Sequence, residues 1–167
     1  MYDELRVDEV MTRKVIHVTI DDTVENCARL LMEHQLSGAP VLDKSGRVVG
    51  MLTEGDLIRS AAHYQAPGAI EILGGLIYLD DPLEFQENLR RATALRAGRL
   101  MTREVIMVAP QDTVEKAATE MVHHSIDRLP VVNEEGRLEG IVSRRDIMSA
   151  LFPQQQQHAS KQEHASN

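Results

Sequence analysis

MTRKVIHV, residues 11–18, returns as MTREVIMV, residues 101–108. The offset of 90 residues, 101 against 11, then holds without a gap and aligns Pro40 with Pro130, Gly46 with Gly136, Gly50 with Gly140 and Asp56 with Asp146. Roughly a third of the aligned positions are identical and many of the others exchange one apolar residue for another, which marks a duplicated structural unit. Each copy spans only about 50 residues, a length at which a separate core is marginal, so the copies are expected to pack on each other. A functional site is therefore to be sought between them.

Both copies carry the same order of signals. A short β-branched stretch opens each, at residues 15–18 and 105–108. Asp22-Thr-Val-Glu25 and Asp112-Thr-Val-Glu115 then place a capping side chain three residues before a glutamate, which predicts helix starts there. Helices are expected from about Val24 to Gln35 and from about Val114 to Ser125, the second with a buried stripe of Val114, Ala117, Ala118, Met121 and Val122. Two strands follow, joined by DKSG at residues 43–46 and by NEEG at residues 133–136, where an Asx residue three positions before glycine signals a tight turn. A last helix starts near Thr53 and near Ser143.

The β-α-β-β-α order, the Met-Thr opening, the Pro-Val at the head of a strand and the endings GMLTEGDL and GIVSRRDI together resemble the cystathionine-beta-synthase (CBS) domain. Two in tandem resemble a Bateman module. The resemblance implies an α+β fold in which two three-stranded sheets pack about a pseudo-twofold axis, and it implies two clefts between the copies that take adenosine-containing ligands. The expected divisions are a first repeat with its N-terminal segment over 1–62, a helical connection over 63–99, a second repeat over 100–153 and a disordered tail over 154–167.

By the same resemblance Asp56 and Asp146 stand where a carboxylate accepts hydrogen bonds from the ribose hydroxyls, a task suited to an acceptor-only group. Spacing alone reads Thr53-x-x-Asp56 and Ser143-x-x-Asp146 as helix capping boxes, and the two roles are compatible. Thr53 and Ser143 match the family's hydroxyl at the strand-to-helix junction. Ile16 with His17, and Ile106 with Met107, resemble the segments that approach adenine, while Ala39 with Pro40, and Leu129 with Pro130, resemble the apolar walls of the cleft. Arg128 matches a position of phosphate contact, yet its partner in the first copy is Gly38, and Arg145 likewise faces Gly55, so the two clefts are expected to differ.

Composition narrows the classes. A net charge of −8 and a pI near 5.3 argue against duplex nucleic-acid binding, which needs a clustered basic surface. The opening MYDELRVDEV carries acids where a secretory signal carries a basic region, and no apolar run reaches membrane-spanning length, so a cytoplasmic protein without a membrane role is expected. The single cysteine, Cys27, aligns with Ala117 and reads as a small apolar helix-face residue. His34 and His124 have no metal-ligand companions, and no nucleophile with a base is visible, so neither a metal site nor catalysis is expected. The connection between the copies is too long for a structureless loop and is expected to carry helices, an amphipathic one over 84–97 among them. The apolar segment around Ile70 to Leu79, with its Gly74-Gly75 pair, is read as a buried or interface segment with a break, consistent with a homodimer.

The function expected on these grounds is regulatory binding of AMP, ADP or ATP, with or without magnesium, by a module without a resident cofactor that modulates a partner protein. Two alternatives stay open: the same fold binding S-adenosylmethionine, a cyclic dinucleotide or NAD, and a structural dimerisation module with vestigial clefts.

Overall fold

The computed structural model describes residues 5–63, 69–72, 75–78 and 95–152. In chain order the elements are α1 (Val7–Val10), β1 (Val18–Thr19), α2 (Val24–Glu33), β2 (Gly38–Leu42), β3 (Val48–Thr53) and α3 (Glu54–His63). A hairpin of β4 (Ala69–Ile72) and β5 (Gly75–Tyr78) follows. The second copy supplies α4 (Ala97–Leu100), α5 (Val114–His124), β6 (Arg128–Val132), β7 (Leu138–Ser143) and α6 (Arg144–Leu151). Mixed helix and strand content in two equivalent halves is the α+β repeat architecture that the sequence predicts.

In the first copy β1 runs parallel to β2, and β2 antiparallel to β3 with Gly38 opposite Thr53 and Pro40 opposite Met51. Pro40 is tolerated inside this strand because the N–H and C=O of Met51 both point away from it and bond to Thr102. The second sheet does not reach three named strands. Its β6–β7 pair is complete, but the counterpart of β1 shrinks to one bridge between Val108 and Val131. Ile20 donates its N–H to Leu42 in the first copy, whereas the aligned residue is Pro110, which has no N–H to give. The expected strands over 15–18 and 105–108 are likewise corrected: only Val18 and Val108 of these pair, and the residues before them stay outside the ladders.

The helices start at Val24 and Val114 as expected, but the capping residue is one position later than the pattern suggests. Thr23 and Thr113 are the caps, their hydroxyls accepting from the N–H groups of Asn26 and Lys116. Asp22 and Asp112 instead accept from the N–H groups of Thr19 and Ala109 and close the preceding turn. In α5 the stripe of Val114, Ala117 and Met121 is buried and Ala118 is partly so, but Val122 is 78% exposed, since the neighbouring α6 covers only the inner face. The DKSG and NEEG turns form as predicted: Gly46 and Gly136 adopt φ of 81° and 77°, and Asp43 Oδ1 and Asn133 Oδ1 each accept two following backbone N–H groups.

What joins the halves is an exchange of their openings. Single-turn α1 docks on the second copy, where Val7 donates to the carbonyl of Asp112 and Val114 donates to that of Leu5. Single-turn α4 docks on the first copy in the same way, through Ala97 to Asp22 and Val24 to Leu95. Val7 and Met11 thus belong to one core with Val108, Leu129 and Val142, while Ala97 and Met101 belong to the other with Val18, Cys27 and Leu52. Burying a Val or Leu side chain stabilises by about 1.5–3 kcal/mol, so each core draws part of its stability from the opposite copy. The two glycine turns also meet at the axis, Val48 donating to Gly136 and Leu138 donating to Gly46.

The helical character expected over 63–99 is corrected at Ala69–Ile72 and Gly75–Tyr78, which pair as an antiparallel hairpin. A glycine costs a helix interior about 1 kcal/mol relative to alanine, and Gly75 pairs instead with Ile72 at the head of β5. The amphipathic helix expected over 84–97 falls, up to 94, outside the described residues, as does the tail over 154–167.

Candidate functional site

A cleft of about 280 Å³ opens between the copies. Ser37, Gly38, Met51 and Thr53 line it from the first copy. Thr102, the segment Glu104–Ile106 and the segment Ser125–Arg128 line it from the second. Its position follows from the fold: Met51 and Thr102 bond to each other reciprocally at 2.9 Å, bringing the end of β3 under the unpaired stretch that precedes Val108. The exchange of openings therefore builds the cleft as well as the core.

Thr53 ends β3, and its N–H and hydroxyl both donate to Asp56 Oδ2, at 2.8 and 2.9 Å. Asp56 is 8% exposed, and its other oxygen accepts from Arg59. In the second copy Ser143 N–H and hydroxyl donate to Asp146 Oδ2 at 2.8 and 2.7 Å, while the Asp146 N–H approaches Ser143 Oγ at 3.3 Å. Both motifs are thus capping boxes in geometry, as the spacing predicts. They differ at the second oxygen: Asp146 Oδ1 has no partner among the described residues, whereas Asp56 Oδ1 is engaged.

Arg128 reaches across the axis. Its guanidinium donates to the carbonyl of Gly38 at 3.0 Å and to Ser37 Oγ at 2.6 Å, and it stands on the cleft wall facing Thr53. Gly38 is confined, because a Cβ there would lie 3.0 Å from the carbonyl oxygen of Leu52. Next to Arg128, Asp127 is paired with Arg144 at 3.0 Å.

The fold has counterparts in known proteins. The family model of the CBS domain matches residues 7–63 and again 97–153. The chain belongs to the CBS-domain family. It is 35% identical over 156 residues to the uncharacterized protein MJ1426 of Methanocaldococcus jannaschii, covering 89% of this chain and 93% of that one. The CBS pair superposes on the crystal structure of CBSX2 in complex with AMP with a TM-score of 0.67 at 25% identity, covering 88% of this chain and 96% of that one. It superposes on MJ1225 from Methanocaldococcus jannaschii with a TM-score of 0.71 at 27% identity, covering 90% of this chain and 49% of that one.

Within this CBS pair Thr53, Ile106 and Arg128 are brought together, and Asp56 stands directly behind Thr53. Ser143 and Asp146 occupy the equivalent junction of the other copy, where Thr12 and Ile141 repeat the reciprocal 2.9 Å bonds of Thr102 and Met51 and Ile16 takes the place of Ile106. Ala39, Pro40, Leu129 and Pro130 do not line the cleft; their side chains are sealed in the strands. His17 is exposed with its ring toward the Val15 carbonyl, Met107 is 38% exposed, and Arg145 is exposed on the first turn of α6.

Sequence reasoning passed over Ser37, Thr102, Glu104 and Asp127. Thr102 was legible as the second residue of the repeated Met-Thr, and Glu104 as the one charge that changes sign between the two opening motifs, being Lys14 in the first. Cys27 is fully buried, and burial, with Asp22 adding to it, pushes its thiol up to about 11. Among the described residues there is no cluster of metal-ligating side chains, and no helix is long and apolar enough to cross a membrane.

Proposed function

We propose that this CBS pair is a regulatory module that binds adenine nucleotides, AMP, ADP or ATP, in its inter-copy clefts and alters a partner protein accordingly. The observation that carries the reading is the facing of Thr53, with Asp56 bonded behind it, and Ile106 and Arg128 of the other copy across a single cleft. A carboxylate-backed hydroxyl suits ribose, an aliphatic wall suits adenine, and a guanidinium suits phosphate. The likeness to CBSX2, solved with AMP, supports the ligand class. Binding without a chemical step is the activity, and it acts by shifting a population between states of different affinity. The module works in the cytoplasm as a homodimer. Met32 and Val122, 74% and 78% exposed, and Ile58 and Met148, 67% and 56% exposed, are two repeat-related apolar pairs on the helices, and a second copy would cover them.

A thermal-shift screen with AMP, ADP, ATP and adenosine, with and without magnesium, tests the assignment, since a ligand that binds only the native state raises its melting temperature. S-adenosylmethionine, a cyclic dinucleotide and NAD belong in the same screen, and a shift with one of these alone transfers the site to that ligand. No shift with any of them leaves a dimerisation module with vestigial clefts.

A further inference from the structure

The two clefts share their axial residues and differ in charge at their rims. Carrying the lining of the described cleft to the other copy by the repeat offset leaves Ser37, Gly38, Asp127 and Arg128 common to both. It exchanges Met51 for Ile141, Thr53 for Ser143, Thr102 for Thr12, Ile106 for Ile16 and Ser125 for Gln35, none of which alters charge. One exchange does: Glu104 becomes Lys14. Both are exposed, each two residues beyond the threonine that pairs with the opposite copy; Glu104 lines the described cleft, and Lys14 holds the equivalent place by the repeat offset. The helix starts after Thr53 and Ser143 differ as well, Glu54-Gly55 against Arg144-Arg145, with Arg144 engaged by Asp127.

We infer that the clefts divide adenosyl ligands by charge: the one bordered by Lys14 takes the di- and triphosphates, and the one bordered by Glu104 takes adenosine or its monophosphate. This rests on the reading of the clefts as adenosyl sites and adds which cleft takes which ligand. In the Glu104 cleft the cation of Arg128 is already bonded to Ser37 and Gly38, and the carboxylate of Glu104 lines the same cleft. One cation so placed offsets a single phosphate and not a chain of them. In the other cleft Lys14 supplies the charge that a polyphosphate needs, and reversing one rim charge against a multiply charged ligand changes affinity by about tenfold at moderate salt.

Calorimetry with ATP and with adenosine on the parent, Glu104→Lys and Lys14→Glu tests this by stoichiometry. The parent is expected to show one tight ATP site per chain, Glu104→Lys two, and Lys14→Glu none, with the remaining ATP binding about tenfold weaker and the adenosine stoichiometry equal in all three. Both side chains are exposed, and an unchanged circular-dichroism melt checks that the variants fold. An ATP stoichiometry that is the same in all three while adenosine still binds overturns the division by charge and leaves the nucleotide reading intact. Absence of saturable adenosine binding in the parent overturns both.

Discussion

Arg128 donates a hydrogen bond to the backbone of Gly38, the residue that occupies its own place in the other copy. Repeat-equivalent positions lie against each other only at a twofold axis, so this 3.0 Å contact fixes where the axis passes and places one guanidinium beside it. A glycine on the far side leaves room that a second arginine would close.

Arg128→Ala is expected to weaken AMP binding far more than adenosine binding, because it removes the phosphate partner and leaves Thr53 and Asp56 in place. Titration of both ligands checks this through their affinity ratio, and a ratio equal to the parent's would show that Arg128 is only a cross-axis tie. Gly38→Arg is not the mirror-image gain, since its Cβ meets the Leu52 carbonyl and the Thr53 side chain.

Asp56→Ala and Asp146→Ala should each cost one cleft about 1.5–3 kcal/mol of nucleotide affinity, the range for hydrogen bonds to a charged group. Each also removes a capping acceptor, so the unliganded melting temperature should fall. The Asp56 variant should fall further, because it leaves the buried site without the acceptor that serves Thr53 and Arg59. Unchanged affinity with a lowered melt in both variants would reduce the aspartates to caps.

Gly50→Ala and Gly140→Ala should destabilise the chain by about 1–3 kcal/mol, as added methyl groups would overlap Met101 and Met11. Urea denaturation of single and double variants gives the coupling. Gly140 should couple to Met11 and not to Met101, a pattern that follows only if the openings are exchanged.

The Cys27 thiol, raised by burial and then by Asp22 from the ordinary 9.0 to about 11, stays protonated in the native state where the unfolded chain ionises. The unfolded state therefore binds fewer protons between those limits, and the thiol's contribution to stability, complete below pH 9, is lost as pH rises through about 11. Cys27→Ala should flatten that part of a stability profile measured from pH 8 to 11. A thiol reagent at pH 8 should modify the native protein no faster than it unfolds.

Light scattering at micromolar concentration should report twice the chain mass. Replacing Met32 and Val122 by aspartate, both on exposed helix faces, should give the single-chain mass with an unchanged circular-dichroism spectrum. Retention of the doubled mass would move the interface away from these helices.

Much of this arrangement was legible because the repeat reports on itself. The turns at Gly46 and Gly136, the helices from Val24 and Val114, and the junctions at Thr53 and Ser143 each rest on local chemistry that the two copies repeat. The exchange of openings was not legible, because the Leu-Arg of residues 5–6 and 95–96 carries no signal of which copy it will pair with. The loss of a strand beyond Val108 was visible in principle at Pro110, but only beside a register in which Ile20 donates. The cleft lining escaped for a similar reason: Ser37, Thr102 and Glu104 meet through tertiary pairing across sixty and more positions of chain.

The exchanged openings also bear on how such a chain arises. A lone copy carrying its own opening turn would leave that turn undocked and its core short of a Val-Met or Ala-Met pair, whereas two identical copies could complete one another as separate chains. Fusion of two such genes preserves every contact and frees the halves to drift apart. Severed between 64 and 94, the present protein should therefore reassemble from its two fragments when they are expressed together, and neither fragment should accumulate when made alone.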